Sequence, residues 1–298
     1  MIRTFHHRDF DAARLADAKA GAVVSVCLPA RNEEATVGLI VECLREQLVE
    51  RVALVDEVIV VDDHSTDRTA DVAAAAGAKV VDARSVLPEY GDGHGKGEAM
   101  WKSLHASSGD IIAWCDADVR AFDTAFVVGL LGPLLTEPGV DFVKGFYDRP
   151  LSEGGTGGGR VTELAARPII SLLYPQLVPI VQPLAGEYAG RRSLLEQLPF
   201  VQGYGVDLGL LIDISERVGV DCIAQTDLGV RHHRNRPLDE LSPQALAVLH
   251  TALVRADADL IVGAPTLARP GSGTTRVDVG ERPPLVEVER DQRRSRPA

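Results

Sequence analysis

Short apolar runs alternate along the chain with segments whose apolar residues recur at helical spacing. Ala22 to Pro29 reads as a buried strand. Val37, Ile40, Val41 and Leu44 then fall at i, i+3, i+4 and i+7, which marks one buried helix face. Asn32 suits the cap of that helix, with Glu33 and Glu34 favourable in its first turn. Glu57 to Asp63 is a second strand, followed by a turn and a helix that ends at Gly77. Lys79 to Ala83 is a third. A glycine-rich loop and a helix, "GHGKGEAMWKSLHASSGD", precede the apolar run "IIAWCDAD", and Val140 to Asp148 has the composition of one more strand. Strands alternating with helices predict a mostly parallel sheet covered on both faces, an α/β fold.

In such sheets ligands bind at the carboxyl ends of strands. Asp62, Asp63, Asp116 and Asp118 all fall at predicted carboxyl ends. An apolar run that ends in two carboxylates one residue apart reads either as an Asp-rich turn or as a divalent-metal site, and the regular placement at strand ends favours the metal. In the second half, the glycines of "LSEGGTGGGRVTEL" suit a flexible linker, yet "GGGR" runs directly into a helical pattern, and a helix start with a glycine-rich approach suits an anion. Leu210, Leu211, Ile214 and Val218 share a helical phase, with Asp207 in the first turn, where it compensates the helix dipole. Arg231, His232, His233, Arg234, Asn235 and Arg236 follow an apolar strand; such a run is ordinarily a solvated surface, but here it is the densest positive stretch outside the tail.

Composition narrows the function classes. The 298 residues carry Lys+Arg 31 against Asp+Glu 43, a net charge of −12, which argues against nucleic-acid or anionic-membrane binding. Hydrophobic residues at 45% and charged residues at 25% are those of a soluble globular protein. Cys27, Cys43, Cys115 and Cys222 are dispersed and imply no disulfide framework, in keeping with a reducing cytosol. The first residues have no hydrophobic signal core. The apolar stretch Val161 to Ala185 is interrupted by Arg167, Pro168, Pro175, Pro179 and Pro183, which makes it a poor membrane span. A cytoplasmic protein is the expectation. Residues 271–298, rich in Pro, Gly and Arg, are expected to form a flexible tail.

"PARNEEATV", "DDHSTDRT", "GKGEA" and "DAD", in this order, resemble nucleotide-sugar glycosyltransferases of the GT-A fold. "GGGRVTELAARP", "QPLAGEYAGRR", "GYGVDLGLLID" and "LGVRHHRNRPLDEL" are longer and more specific, and resemble the actinobacterial glucosyl-3-phosphoglycerate synthase family over about residues 15–245. The resemblance implies a nucleotide-sugar-binding half over 1–150 and an acceptor-binding, metal-histidine half of the same domain over 151–270. It implies transfer of glucose from UDP-glucose to the 2-hydroxyl of 3-phosphoglycerate with retention, a Mg²⁺ or Mn²⁺ cofactor, and a homodimer. By the same resemblance Asp118 and His233 hold the metal, and Pro29, Ala30, Arg31, Glu33, Asp63, Lys96, Asp116 and Tyr204 bind the donor. Gly159, Arg160, Thr162 and Asn235 hold the acceptor. Asp63 stands where relatives have a serine, and Arg31 where they often have an apolar residue. Asp207 stands where the family has a glutamate; one methylene shorter, it reaches less far towards the anomeric carbon, which favours a same-face mechanism over a covalent one. Asp118 and, with less reach, Asp207 are the catalytic candidates. A different donor or acceptor on the same fold (GDP-mannose, or a polyprenyl phosphate) is the nearest rival. A sugar-1-phosphate nucleotidyltransferase would need a glycine- and basic-rich first loop where this chain has "PARNEEAT". A non-catalytic sugar-nucleotide-binding protein would be expected to lack Asp118 or His233.

Overall fold

The computed structural model describes residues 1–148, 159–231, 237–257, 259, 261, 265–269 and 273–295. The strands are β1 (Arg3–His6), β2 (Val24–Ala30), β3 (Glu57–Asp62), β4 (Lys79–Asp82), β5 (Ile111–Trp114), β6 (Phe142–Asp148), β7 (Tyr188–Arg191), β8 (Phe200–Val201) and β9 (Ile223–Val230). Among the described residues, eight of them form one sheet in the order β1-β9-β6-β7-β5-β2-β3-β4. All pairings in it are parallel except those of β7, which lies antiparallel between β6 and β5. The mostly parallel α/β sheet is therefore present. The chain moves outward from β2 through β3 to β4, then returns to place β5 on the other side of β2. The carboxyl ends of β2 and β5 thus flank the point where the winding direction reverses, the usual ligand crevice of open α/β sheets.

Period-two geometry divides the strand residues between two cores. Val24, Val26 and Leu28 of β2 and Ile111 and Ala113 of β5 pack on one face with Val37, Ile40, Val41 and Leu44. Cys27, Ile112 and Trp114 point to the other, against Trp101, Tyr188 and Phe200. With both faces covered, the inner strands β2, β3 and β5 bury nearly every residue, which is why they read as continuous apolar runs. Among the described residues no helix is long and apolar enough to cross a membrane.

Three local expectations are corrected. Asn32 does not cap the helix, which begins at Val37 with Thr36 as its N-cap residue. Asn32 instead sits at φ 57°, and its side-chain oxygen accepts from the Thr66 N–H at 2.8 Å. Val218 is 52% exposed, because the helix ends at Arg217 and Val218 has left its buried face. The third correction concerns the tail. Beyond β10 (Thr266–Arg269) and β11 (Gly273–Arg276), β12 (Glu281–Arg282) pairs with β8, and a helix follows over Leu285–Ser295. Arg282 reaches the fully buried Glu98, with Nη2 2.8 Å from Oε1, while the Trp101 indole N–H donates to the Pro283 carbonyl at 2.8 Å. Leu285 and Val288 are buried in the same core. Residues 273–295 are held by one buried carboxylate and a few apolar anchors, while 271, 272 and 296–298 lie outside the described residues.

Candidate active site

Three loops at the carboxyl ends of strands converge on one cavity of about 510 Å³, a volume typical of small-molecule sites. Asp63 N–H donates to the Ala30 carbonyl at 2.8 Å, and Glu33 N–H to Thr69 Oγ1 at 2.8 Å, tying the loops after β2 and β3 together. Thr36 Oγ1 donates to the Ala117 carbonyl at 2.7 Å, which adds the loop after β5. Pro29, Ala30, Arg31 and Glu33 therefore line one wall beside Asp116 and Asp118.

The helix Lys96–Ala106 enters from a glycine-rich turn. Glycine is needed there because of close packing within the protein. A Cβ on Gly97 would lie 1.8 Å from the Val201 carbonyl oxygen, and one on Gly95 would lie 2.9 Å from Gly203 Cα at a backbone φ of +94°. This packing seats Lys96 in the cavity wall next to the Gly203–Gly205 turn that carries Tyr204.

Charges of alternating sign run along the cavity floor. Lys96 Nζ lies 3.1 Å from Asp207 Oδ1 and 3.3 Å from Asp116 Oδ1. Arg231 Nη1 lies 3.0 Å from Asp116 Oδ2 and 2.7 Å from Glu187 Oε1, and Nη2 lies 2.8 Å from Asp118 Oδ1. Tyr147 OH accepts from Arg231 Nη1 at 2.6 Å. Burial opposes ionisation of Asp116, but Lys96 and Arg231 outweigh it and hold the carboxyl well below the usual range. Lys96 is partly buried, which opposes its charge, yet Asp116 and Asp207 hold it firmly charged. Lys144, 3.8 Å from Asp207, has its pKa pulled down to about 8 by burial, with Asp207 opposing. Burial also raises the pKa of Glu187, against the pull of Arg231. Gly186 is required beside this network, since a Cβ there would meet Asp116 Oδ2 at 2.1 Å.

Gly159, Arg160 and Thr162 close the far wall at the start of a helical segment, with Leu241, Gln244 and Val248 facing them from the helix Leu238–Ala256. Gly159 takes φ +87°, a conformation that glycine adopts without strain. Every site residue that the resemblance implied within the described part of the chain thus lines one cavity, Asp207 included, whereas Asp62 does not. His233 and Asn235 lie outside the described residues. Asp116 and Asp118 suit a hard divalent cation, being carboxylates at the cavity wall whose side chains remain 28% and 44% exposed.

The model of the glycosyl transferase family 2 matches residues 25–198, more than half of the chain. A glucosyl-3-phosphoglycerate synthase of Mycolicibacterium smegmatis is 50% identical over 294 residues, covering 96% of each chain. The chain belongs to glycosyl transferase family 2. Among solved structures, this transferase resembles the glucosyl-3-phosphoglycerate synthase of Mycobacterium tuberculosis in complex with Mn²⁺, UDP-glucose and phosphoglyceric acid, with a TM-score of 0.87 and 46% identity over 96% of this chain and 99% of that one. It also resembles the mannosyl-3-phosphoglycerate synthase of Rubrobacter xylanophilus, with a TM-score of 0.87 and 39% identity over 96% and 97% of the two chains.

Several members of the transferase's charge network escape a reading of the sequence. Arg231 opens the positive run from which only His233 and Asn235 are singled out, yet it is 5% exposed and bridges three carboxylates. Glu187 and Tyr188 lie in "GEYAG", where the Glu within an apolar stretch is the one available signal; Glu187 is fully buried. Lys144, in the middle of the apolar strand β6, carries the same signal, and its ammonium sits 3.9 Å above the Tyr188 ring.

Proposed function

We propose that this enzyme transfers glucose from UDP-glucose to the 2-hydroxyl of 3-phosphoglycerate, with retention of configuration, releasing UDP. The observation that carries the reading is the single cavity in which the donor motifs and the Gly159-Arg160-Thr162 wall face one another. On this reading Pro29, Ala30, Arg31, Glu33, Asp63 and Tyr204 hold the nucleotide, and Lys96 supplies positive charge on the diphosphate side. Gly159, Arg160, Thr162 and Asn235 hold the acceptor. Asp118, with His233, would hold a divalent cation, Mg²⁺ or Mn²⁺; when bound, that cation offsets the charge that builds on the diphosphate leaving group.

The acceptor hydroxyl attacks the anomeric carbon on the face from which the diphosphate departs. Its proton passes to the departing phosphate oxygen as the carbon–oxygen bond to phosphate breaks. The protein contributes position and a fixed field. Asp207 is not the nucleophile in this scheme, because its Oδ1 is held by Lys96 at 3.1 Å with Lys144 at 3.8 Å, and a paired carboxylate is a poor nucleophile. It positions Lys96.

The test offers a panel of UDP- and GDP-linked glucose and mannose with 3-phosphoglycerate and Mg²⁺, and reads nucleotide release. UDP-glucose is expected to be turned over fastest. Faster turnover of GDP-mannose would replace the donor assignment with the mannosyl one that the Rubrobacter relative represents. In the same assay Arg160→Ala raises the KM for 3-phosphoglycerate about 10- to 100-fold, the loss of about 1.5–3 kcal/mol of charge-assisted bonding. UDP affinity stays unchanged, and Arg160→Lys rescues only in part. A loss of UDP binding with an unaltered acceptor KM would move this wall to the donor site.

A cytoplasmic homodimer that binds neither nucleic acid nor membranes belongs to the same proposal. Leu164, at 75% exposed, and Leu172, at 76%, stand with Leu173, Val178 and Val181 as exposed apolar residues in one stretch, which supports a covered face. A monomeric mass in sedimentation equilibrium would remove the dimer.

A further inference from the structure

At the rim of the donor cavity, the end of β3 and the turn before Lys96 bring together a carboxylate and two imidazoles. Asp63 Oδ1 lies 2.9 Å from His64 Nδ1, and His64 Nδ1 lies 3.2 Å from His94 Nδ1. One ligand atom from each of the three residues falls within 4.8 Å of the other two. Four-coordinate Zn²⁺ holds nitrogen and oxygen ligands at about 2.0–2.2 Å, which places neighbouring ligand atoms roughly 3.3–3.5 Å apart. Two of the three edges, 2.9 and 3.2 Å, are slightly shorter than that and the third is within 4.8 Å, so small side-chain shifts bring the three atoms onto such a shell.

The outer groups fit the same reading. His64 turns its other nitrogen, Nε2, to Asp92 Oδ1 at 2.8 Å, the carboxylate–histidine arrangement that fixes the tautomer of a metal-binding imidazole. The second oxygen of Asp63, Oδ2, accepts from the Gly95 N–H at 2.8 Å, so this carboxylate is also oriented from behind. Asp63 is 4% exposed, while His94 remains open to solvent, which leaves a route of entry. Two imidazoles and one carboxylate suit a borderline transition ion more than Mg²⁺.

We propose that Asp63, His64 and His94 form a second metal site, for a transition ion of the Zn²⁺ or Co²⁺ class, separate from the cation at Asp118. The three ligands come from two segments, and Gly95 and Lys96 follow His94 directly. A bound ion therefore pins the turn that seats Lys96 to the end of β3. The site stands independently of which sugar the enzyme transfers.

Co²⁺ is the probe, added to the full chain with Mg²⁺ in excess to occupy the oxygen-rich site. Four-coordinate Co²⁺ with imidazole ligands absorbs strongly in the visible, whereas six-coordinate, oxygen-rich Co²⁺ absorbs weakly. One equivalent of Co²⁺ is expected to develop the strong band, and Zn²⁺ to displace it. Asp118→Ala retains the band, while His64→Ala and the solvent-side His94→Gln abolish it. Asp92→Asn, at an exposed position, weakens Co²⁺ binding about 10- to 100-fold. Circular dichroism verifies that each variant is folded. A wild-type protein without the band would overturn the proposal and leave the cluster as a protonated His64 held between two carboxylates. A band that survives both histidine variants and vanishes in Asp118→Ala would overturn it as well.

Discussion

Asp118→Ala is expected to abolish measurable sugar transfer while the protein melts within a few degrees of the parent. A cation that offsets leaving-group charge is worth several kcal/mol in the transition state, and about 4 kcal/mol corresponds to a thousandfold in kcat. Stability changes little because the Asp118 side chain is 44% exposed, and Arg231 keeps Asp116 and Glu187 as partners after the substitution. Nucleotide release with and without a chelator reads the effect. The parent should lose activity on chelation and regain it with Mg²⁺ or Mn²⁺, and the variant should respond to neither treatment. Full activity of Asp118→Ala in chelator would sink the metal assignment and, with it, the reading of "DAD" as more than a turn.

Arg231→Met is the substitution with the largest expected effect on stability. Arg231 is 5% exposed and lies within 3.0 Å of oxygens on Asp116, Asp118 and Glu187. Methionine fills much of the volume but leaves Glu187, fully buried, without its counter-charge. Breaking a buried pair from one side costs about 3–5 kcal/mol. The midpoint of urea unfolding should fall accordingly, with an unchanged slope. Arg231→Lys should recover only part of the loss, since a point charge cannot serve three carboxylates as a guanidinium fork does. Burial already raises the pKa of Glu187 against the pull of Arg231, and removing that pull raises it further. An acid whose folded pKa exceeds its unfolded value penalises the folded state above that unfolded value, and the penalty is relieved as pH falls through the folded pKa. The stability deficit of Arg231→Met is therefore expected to be largest at neutral pH and to shrink on acidification. A variant as stable as the parent at pH 7 would show that the guanidinium does not hold these carboxylates in solution.

These two positions mark the boundary between what local sequence specifies and what it does not. The apolar runs placed β2, β3 and β5 because a strand buried on both faces is apolar nearly throughout, and the same runs marked β4, β6 and β9 although β4 lies at the sheet edge and β6 and β9 carry buried polar residues. The glycines around Lys96 were legible only as a glycine-rich loop, and the contacts that require them, with the Val201 carbonyl and Gly203, come from the fold. Asp63, Asp116 and Asp118 were legible as candidates because carboxylates at the ends of apolar strands need a positive partner, and the sheet topology puts those ends at the crevice. The resemblance then supplied Lys96, Arg160, Thr162 and Tyr204, and the fold brings them to one cavity.

The tertiary structure alone decided where the charges of the site are paired. Arg231 sits 115 residues from Asp116 and in a run of charge that any local pattern assigns to solvent. It becomes an interior residue because β7, antiparallel between β6 and β5, delivers Glu187 beside the carboxylates that follow β5. Arg282 is drawn inside by Glu98 across 184 residues in the same way, which is why a segment with the composition of a flexible tail packs on the core. Hydrophobic periodicity follows from each residue's own preference for or against water, so it survives in a single sequence. The burial of a charge depends on the partner that meets it, and that partner is fixed only when the chain has folded.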